Sequence, residues 1–125
     1  MSLFRSRAKE KEYNLWHDWH VNLLGDFEHV KNDGSGQLVN KDGSRVIYGS
    51  SFTIHGMTDV KDEVSFLGTK QDEEGEGEGD YHLSASVSQN NEILAINITY
   101  RVPSDEEWAT AVINSAHRIQ FGFKG

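Results

Sequence analysis

The chain has 125 residues and a formal net charge of −8, which together exclude several classes of protein. A chain of this length makes one domain of ordinary size, so we expect residues 1–125 to form a single domain. The absence of cysteine excludes disulfide scaffolds, thiolate metal sites and thiol catalysis, and the acidic charge argues against nucleic-acid binding, which needs a basic patch.

Hydropathy gives no sign of a membrane or secretory segment. No stretch approaches the roughly 18 consecutive apolar residues of a membrane span. No apolar stretch of roughly 7–15 residues follows the basic start, as a secretory signal would require. We therefore expect a cytoplasmic protein, although a signal peptide already removed would leave no trace in this sequence.

Charge is distributed unevenly along the chain. Residues 1–12 form a polar basic segment, in which four basic residues oppose one acid over the first eleven positions, a net charge of +3. Residues 59–80 contain nine acids and two lysines, a net charge of −7. The negative net charge therefore comes mostly from one segment in the middle of the chain.

The first 32 residues have a mixed pattern. Residues 4–14 are polar and predict a short N-terminal helix. The apolar positions of residues 13–24 fit both one face of a helix and the alternation of a strand. Turn residues at Gly25 and at positions 33–36 favour strands over 19–24 and 27–30. The choice between helix and strand for residues 13–24 stays open.

The next segments predict a hairpin and a further short strand. Residues 37–40 and the alternating residues 45–55 flank Lys41-Asp42-Gly43-Ser44, and Asp-Gly is a strong turn dipeptide. Residues 64–67 predict a short strand. In the strand that begins at Arg45, one side carries Val46, Tyr48, Ser50, Phe52 and Ile54.

Residues 81–102 carry the clearest strand signal. Apolar residues alternate with polar ones from residue 81 to 88 and again from 94 to 102, which is the period of a strand. Asn90-Asn91 suits a two-residue hairpin turn because Asn tolerates positive φ. Such a turn pairs Leu83 with Ile98, and the same register keeps all the apolar partners on one face.

A C-terminal helix is predicted over residues 104–120. Pro103 ends the strand, Ser104 and Glu107 make a capping box, and Gly122 can terminate the helix. Apolar residues recur at helical spacing and should pack on the apolar face of the hairpin. They are Trp108, Val112 and Ile119.

These elements predict an α+β fold. It has an antiparallel sheet of about five to seven strands, a C-terminal helix packed on one face and, if the polar start is helical, a short N-terminal helix. The other face of the hairpin carries Ser84, Ser86 and Ser88, which is typical of a solvated sheet face. The sequence leaves open whether that face is wet or pairs with a second subunit, which would make a homo-oligomer through the sheet.

Residues 68–80 predict an acidic Gly/Glu loop. Its clustered carboxylates could attract a basic protein, hold a hard cation such as calcium, or simply be solvated. The spacing does not match the calcium loop of an EF-hand, and alternate glycines weaken a preformed site. The candidate partner-binding residues are Glu73, Glu74, Glu76 and Glu78.

The pentapeptide 16–20 combines two tryptophans with two histidines. On a helix the histidines would share a face and could hold a metal, whereas on a strand they would point to opposite sides. No third ligand follows at a recognisable spacing, so we assign no metal ligand and predict no cofactor. Neighbouring aromatic rings can also line a ligand pocket. The candidate ligand-binding residues are Trp16, His17, Trp19 and His20.

Two stretches resemble a known family. One is Trp19–Leu23 leading through glycine turns into Arg45–Tyr48, and the other is the closing strand 93–102 followed by Glu107-Trp108-Ala109 and the final helix. In this order the elements are similar to the PsbP-like and DcrB-like family of small α+β domains. The resemblance implies an antiparallel sheet flanked by helices and a role in binding or assembly, and it carries no catalytic residue across.

The leading hypothesis for function is a non-enzymatic protein-interaction domain, of a binding, assembly, immunity or inhibitor type. Its acidic loop would draw in a basic protein partner and act mainly on the association rate. The alternative is a small-ligand or metal-binding domain that uses the Trp/His segment 16–20. The serine-rich face lacks the Gly-x-Ser-x-Gly elbow of a nucleophile, and we predict that the protein is not an enzyme.

Overall fold

The computed structural model describes residues 10–53, 61–71 and 80–119, and within these ranges the chain is mostly antiparallel β-sheet. A short 3-10 turn at Pro103–Asp105 leads into a single helix, α1, over Glu106–Asn114. The strands in chain order are β1 (Lys11–Trp16), β2 (Trp19–Leu23), β3 (Phe27–Asn32), β4 (Ser35–Asn40), β5 (Arg45–Thr53), β6 (Glu63–Gln71), β7 (Tyr81–Gln89), β8 (Glu92–Tyr100) and β9 (His117–Arg118).

The strands form two antiparallel sheets. The large sheet has six strands in the order β3-β4-β5-β8-β7-β6, and the small sheet has three in the order β1-β2-β9. The predicted antiparallel sheet and C-terminal helix are confirmed. The six strands of the large sheet lie within the expected five to seven. The second, three-stranded sheet was not predicted, and within the described ranges the fold is richer in sheet than a balanced α+β domain.

The hairpin of β7 and β8 has the predicted turn and register. Asn90 and Asn91 have φ values of 51° and 65°, the left-handed conformation that the turn requires. Leu83 pairs with Ile98 and Ala85 with Ile96, as expected from a turn centred on the two asparagines. This hairpin places a continuous apolar surface in the middle of the large sheet.

The core lies between one face of the large sheet, here called the inner face, and the elements that cover it. Strand β1 of the small sheet packs on β4 and β5, and α1 packs on β7, β8 and β2. Burying these apolar side chains supplies most of the driving force for folding. The buried side chains of the inner face are Leu38, Ile47, Leu83, Ala85, Val87, Leu94, Ile96, Ile98 and Tyr100.

The predicted short N-terminal helix is wrong where the structure can test it, whereas the strands favoured over 19–24 and 27–30 are confirmed. Residues 11–14, expected in a short helix, belong to strand β1, and residues 4–9 lie outside the described ranges. Residues 19–23 are also a strand, with Trp19, Val21 and Leu23 on its buried side. Strand pairing between β1 and β2 buries the alternating residues on one face, which a short exposed helix could not do.

The C-terminal helix is shorter than predicted, and its cap differs. The predicted N-cap, Ser104, lies in the 3-10 turn, and Asp105 precedes α1 without a side-chain cap hydrogen bond, so the expected capping box does not form. The helix ends at Asn114, where the Ser115 hydroxyl donates to the Val112 carbonyl oxygen and accepts from the Asn22 N–H, at 2.7 and 2.9 Å. That double contact ties the helix end to β2.

In agreement with the prediction, α1 packs on the hairpin of β7 and β8, although not every predicted residue takes part. Val112 is buried, together with Ala109 and Ile113. Trp108 is half-buried, packs against the hydrophobic core and stacks on Phe27 of β3, with ring centroids 6.4 Å apart. The predicted stripe residue Ile119 lies beyond the helix, and Gly122 is outside the described ranges.

Strand β6 is longer than the predicted strand 64–67. It runs from Glu63 to Gln71, so residues 68–71 of the predicted acidic loop belong to a strand. A β-bulge between Phe66 and Gly68 interrupts its pairing with β7, and Gly68 has a φ of 131°, which favours glycine. In the described part of the chain, no helix is long and apolar enough to cross a membrane.

Candidate functional site

The acidic residues singled out from the sequence cannot be placed. Glu73, Glu74, Glu76 and Glu78 fall in residues 72–79, which lie outside the described ranges. The described chain stops at Gln71 and resumes at Asp80, on two neighbouring strands of the large sheet. The prediction that these glutamates bind a partner therefore stays a prediction.

The two tryptophans of segment 16–20 belong to the core. Trp16 pairs with Trp19 across β1 and β2, with His17 and Asp18 in the turn between them. Trp19 is 0% exposed and Trp16 is 8% exposed. Both rings therefore contribute to packing between the small sheet and the rest of the core.

The two histidines of the segment are not brought together. His17 occupies the left-handed region at φ 53°, is exposed, and stacks on Trp16 with ring centroids 4.2 Å apart. His20 is half-buried on the other side of the hairpin, with its ring 6.0 Å from that of His117. No group of three or more His, Asp or Glu side chains within the described ranges is arranged to hold a metal ion.

Both indole N–H groups are buried without a partner in the described structure. The Nε1 atoms of Trp16 and Trp19 have no hydrogen-bond acceptor within reach there. A buried donor left unpaired costs about 1–3 kcal/mol of stability. The pair is therefore the feature of segment 16–20 that an acceptor on a ligand could use.

The β1–β2 turn is fixed by an ion pair that the sequence did not reveal. Arg118 donates from Nη2 to Asp18 Oδ2 at 2.8 Å and from Nε to both carboxylate oxygens at 3.2 Å. The carboxylate raises the pKa of Arg118, chiefly through these hydrogen bonds. The two residues are 100 positions apart, and no local pattern links them.

A second ion pair joins β5 to the 3-10 turn. Arg45 donates from Nη2 and Nε to the two oxygens of Asp105, at 2.8 and 3.0 Å, and this raises the pKa of Arg45. Its guanidinium carbon also lies 4.4 Å from the centroid of the Trp108 ring. The Arg45 guanidinium therefore stabilises the fold, because it is already engaged by a carboxylate and an aromatic ring.

An open depression of about 430 Å³ lies beside this ion pair. Its lining includes Phe27 and Arg45, together with residues of the β2–β3 and β4–β5 connections. In the second connection, hydrogen bonds from Ser44 to the carboxylate lower the pKa of Asp42. These contacts stabilise the turn between β4 and β5.

The face of the large sheet that points away from the core, here called the outer face, has a different character. In its two central strands it carries eight side chains, none of them charged. Tyr48 is 38% exposed and Phe52 is 54% exposed. The eight are Val46, Tyr48, Ser50 and Phe52 of β5 and Ile93, Ala95, Asn97 and Thr99 of β8.

The side of β5 that the sequence marked out is thus the open one. The residues of β5 that alternate with this set, including Ile47 and Gly49, are the ones buried beneath β1. Alternation identified the two sides of the strand, but the apolar side chains at Val46, Tyr48 and Phe52 gave no sign that they would face away from the core. A cue was the pair of glycines, Gly36 and Gly49, which leave room for a covering strand.

The outer face of β7 and β8 is held by side-chain pairs in the predicted register. Asn97 Nδ2 donates to Ser84 Oγ at 2.6 Å, and His82 Nδ1 lies 3.0 Å from Thr99 Oγ1. These pairs are the ones expected from the Asn90-Asn91 turn, so the prediction is confirmed. They satisfy polar groups on the sheet and leave the exposed aromatic residues of β5 as its unusual feature.

The comparisons with known proteins concern the fold. No family model matches the chain, and no curated protein matches it. A crystal structure of a protein from Bacteroides thetaiotaomicron VPI-5482 is similar with a TM-score of 0.56 and 15% identity, over 86% of this chain and 47% of that one. The chain thus spans about half the length of that neighbour. The resemblance to PsbP-like and DcrB-like domains stays a prediction.

Proposed function

We propose that this protein is a non-enzymatic protein-interaction domain whose partner docks on the outer face of the large sheet. The observation that carries the proposal is the exposure of Tyr48 and Phe52 within an uncharged patch of β5 and β8. The centres of protein interfaces are depleted in charged residues and enriched in aromatic ones. Two exposed rings on a rigid strand are thus suited to anchor a partner.

The surrounding sheet favours a flat contact. Between Tyr48 and Phe52 on β5 lies Ser50, which pairs with Ala95 of β8, so the patch has small side chains at its middle. Val30 of β3 is also exposed and lies in the same row of the outer face as Tyr48. A partner can therefore approach the backbone closely between the aromatic anchors.

The partner we propose is a protein with a basic surface around an apolar centre. The acidic segment of the chain follows β6 and precedes β7, two strands of the same sheet, and residues 72–80 contain six acids and no base. Such a charge raises the rate of encounter with a basic protein and is screened by salt. The aromatic patch would slow dissociation of the complex, and the acidic segment would speed its association.

Capture experiments from a lysate of the source organism test this proposal. The immobilised chain should retain a basic protein at low salt. Replacing Tyr48→Ser and Phe52→Ser together should weaken retention by at least about 30-fold, because truncating an anchor residue costs about 2 kcal/mol or more. The four substitutions Glu73→Gln, Glu74→Gln, Glu76→Gln and Glu78→Gln should slow capture at low salt and matter little at high salt.

A matched control separates the patch from general stickiness. Val102 is an exposed apolar residue outside the outer-face patch, and Val102→Ser should leave retention unchanged. Circular dichroism should be the same for the Tyr48/Phe52 and Val102 variants, because the substituted side chains are exposed. A basic protein retained equally by the Tyr48/Phe52 variant would reject the outer face as its binding site.

The second candidate function is binding of a small ligand at segment 16–20. The unpartnered indole N–H groups of Trp16 and Trp19 favour it, because a ligand acceptor would satisfy them. The ligand would have to enter between rings that are almost fully buried, while His17 offers an exposed ring at the edge. A candidate ligand that quenches tryptophan fluorescence and raises the melting temperature would support this function.

A further inference from the structure

Within the described part of the chain, strand β6 is one of the two edges of the large sheet, and β3 is the other. All nine residues of β6 are exposed, and Leu67 is 72% exposed. Among the described strands, β7 is its only hydrogen-bonded neighbour. An edge strand presents N–H and C=O groups that can pair with another chain, and long, apolar edges do so most readily.

The sequence of β6 combines an apolar middle with charges near its ends. Val64, Phe66 and Leu67 are large, exposed apolar residues. Glu63 begins the strand, and Lys70 is its next-to-last residue. Natural edge strands are commonly blocked by a charge or a proline in the middle. The middle of β6 has no charge and no proline, and its protection is limited to the β-bulge between Phe66 and Gly68. Glu63 and Lys70 lie equally far along the strand from the point between Phe66 and Leu67.

The β-bulge decides which residues share a face. Before it, Glu63 and Ser65 pair with Ser88 and Ser86 on the outer face, and after it Lys70 pairs with His82 on the same face. Without the extra residue at the bulge, positions 63 and 70 would point to opposite sides of the sheet. The bulge therefore brings the two charged residues to one face.

We propose that β6 pairs antiparallel with β6 of a second copy of this chain, around a twofold axis between Phe66 and Leu67. In this register Glu63 of each copy faces Lys70 of the other, and Val64 faces Thr69. Every facing pair outside the bulge then has both side chains on the same side of the joined sheet, as antiparallel pairing requires. The interface goes beyond the proposed function, because it uses the edge of the sheet and leaves Tyr48 and Phe52 free.

Charge complementarity selects the second copy as the occupant. A twofold interface must be self-complementary, since the same surface contributes both halves. Glu63 and Lys70 meet that condition twice, once on each side of the axis. A register shifted by two residues, in which Ser65 faces Lys70, keeps the faces matched but leaves Glu63 without its lysine. The apolar side chains of Phe66 and Leu67 then meet at the centre of the joined twelve-stranded sheet.

Sedimentation velocity over a concentration series of the full chain, at low salt, tests the proposal. The wild-type chain should show a monomer–dimer equilibrium. Glu63→Lys and Lys70→Glu should each raise the dimer dissociation constant roughly tenfold, because each places like charges opposite one another twice. The double variant Glu63→Lys/Lys70→Glu restores both ion pairs with reversed sign and should return the constant towards the wild-type value.

Two further variants complete the test. Leu67→Asp should abolish the dimer, and its circular dichroism should match the wild type because the side chain is exposed. Tyr48→Ser/Phe52→Ser should leave the dimer intact, which separates this edge from the outer face. A wild-type chain that stays monomeric at every concentration would overturn the proposal, and so would a double charge variant that dimerises as weakly as the single ones. A dimer that is lost in the Tyr48→Ser/Phe52→Ser variant but kept in Leu67→Asp would also overturn it.

Discussion

The backbone carbonyl of Leu15 lies directly on Gly36. A Cβ atom at Gly36 would meet the Leu15 carbonyl oxygen and lie 3.1 Å from the carbonyl carbon. The Leu15 side chain lies on Gly49, which pairs with Gly36 across β4 and β5. His29 Nε2 is 2.9 Å from the same carbonyl oxygen. Strand β1 thus docks on the large sheet through a gap that only two glycines provide.

Gly36→Ala should destabilise the protein more than Gly49→Ala. At Gly36 the added methyl group meets backbone atoms, which cannot move without shifting all of β1. At Gly49 it meets side-chain atoms only, Leu15 Cδ2 at 2.6 Å, Leu15 Cγ at 3.0 Å and Leu94 Cδ1 at 3.2 Å, which can shift more easily than backbone. Overpacking typically costs about 1–3 kcal/mol, and we expect Gly36→Ala at or above the upper end of that range. Urea denaturation measures both.

A third substitution controls for placing an alanine in β4 away from the contact with β1. Gln37→Ala changes a neighbouring residue of β4 that points to the outer face, and it should have little effect on the unfolding free energy. Equal losses of unfolding free energy for Gly36→Ala and Gly49→Ala would show that the small sheet shifts as a unit. The close backbone contact between Leu15 and Gly36 would then not determine the cost of the added methyl group.

The ion pair between Asp18 and Arg118 should contribute measurably to stability. Arg118 is only 12% exposed, so Asp18→Asn leaves its charge poorly solvated and without its main partner. We expect a loss of about 1–3 kcal/mol, typical for a partly buried group that loses a hydrogen-bonded partner. The exposed pair between Lys11 and Asp26, at 3.5 Å, is the comparison. Asp26→Asn should be nearly silent, because surface pairs are screened by solvent.

The sequence predicted the local elements better than their assembly. The β7–β8 hairpin followed from alternation around Asn90 and Asn91, because a two-residue turn fixes the register by itself. The boundaries of α1 were wrong because Ser104 and Glu107 matched a cap pattern, whereas Pro103 begins a 3-10 turn that places Asp105 before the helix. Tertiary contacts decided where that helix starts and ends.

The candidate sites were harder to predict for the same reason. Segment 16–20 was singled out by its residue types, but strand pairing buries Trp16 and Trp19 and separates His17 from His20. The outer-face patch depends on which side of β5 is covered by β1, a contact between segments far apart in sequence. The β6 bulge sets the placement of its charges, and only the pairing with β7 reveals it.

The Asn90-Asn91 turn predicts a simple dependence of stability on the residue at position 91. Asn91 has a φ of 65°, in the left-handed region where most residues with a Cβ are strained by about 1–2 kcal/mol. Asn91→Ala should therefore lose about 1 kcal/mol of unfolding free energy. Asn91→Gly is the control, since glycine adopts this φ freely and should be neutral or slightly stabilising. A loss with glycine equal to that with alanine would mean that the Asn side chain, and not its backbone, stabilises the turn.

Tyr100 should make the fold sensitive to alkaline pH. Burial, with a smaller contribution from the nearby Glu106 carboxylate, raises the pKa of Tyr100 above its ordinary value of 10.0. The folded state therefore holds the phenol proton more tightly than the unfolded state. The stability due to this proton is fully present below pH 10 and is lost as pH rises through the folded-state pKa. One such group adds a slope of at most about 1.4 kcal/mol per pH unit.

Urea denaturation at a series of pH values from neutral to alkaline should show Tyr100→Phe losing stability less steeply above pH 10 than the wild type. Tyr48→Phe, on the open outer face, is the matched control, and if both variants follow the wild-type slope then Tyr100 does not limit alkaline stability.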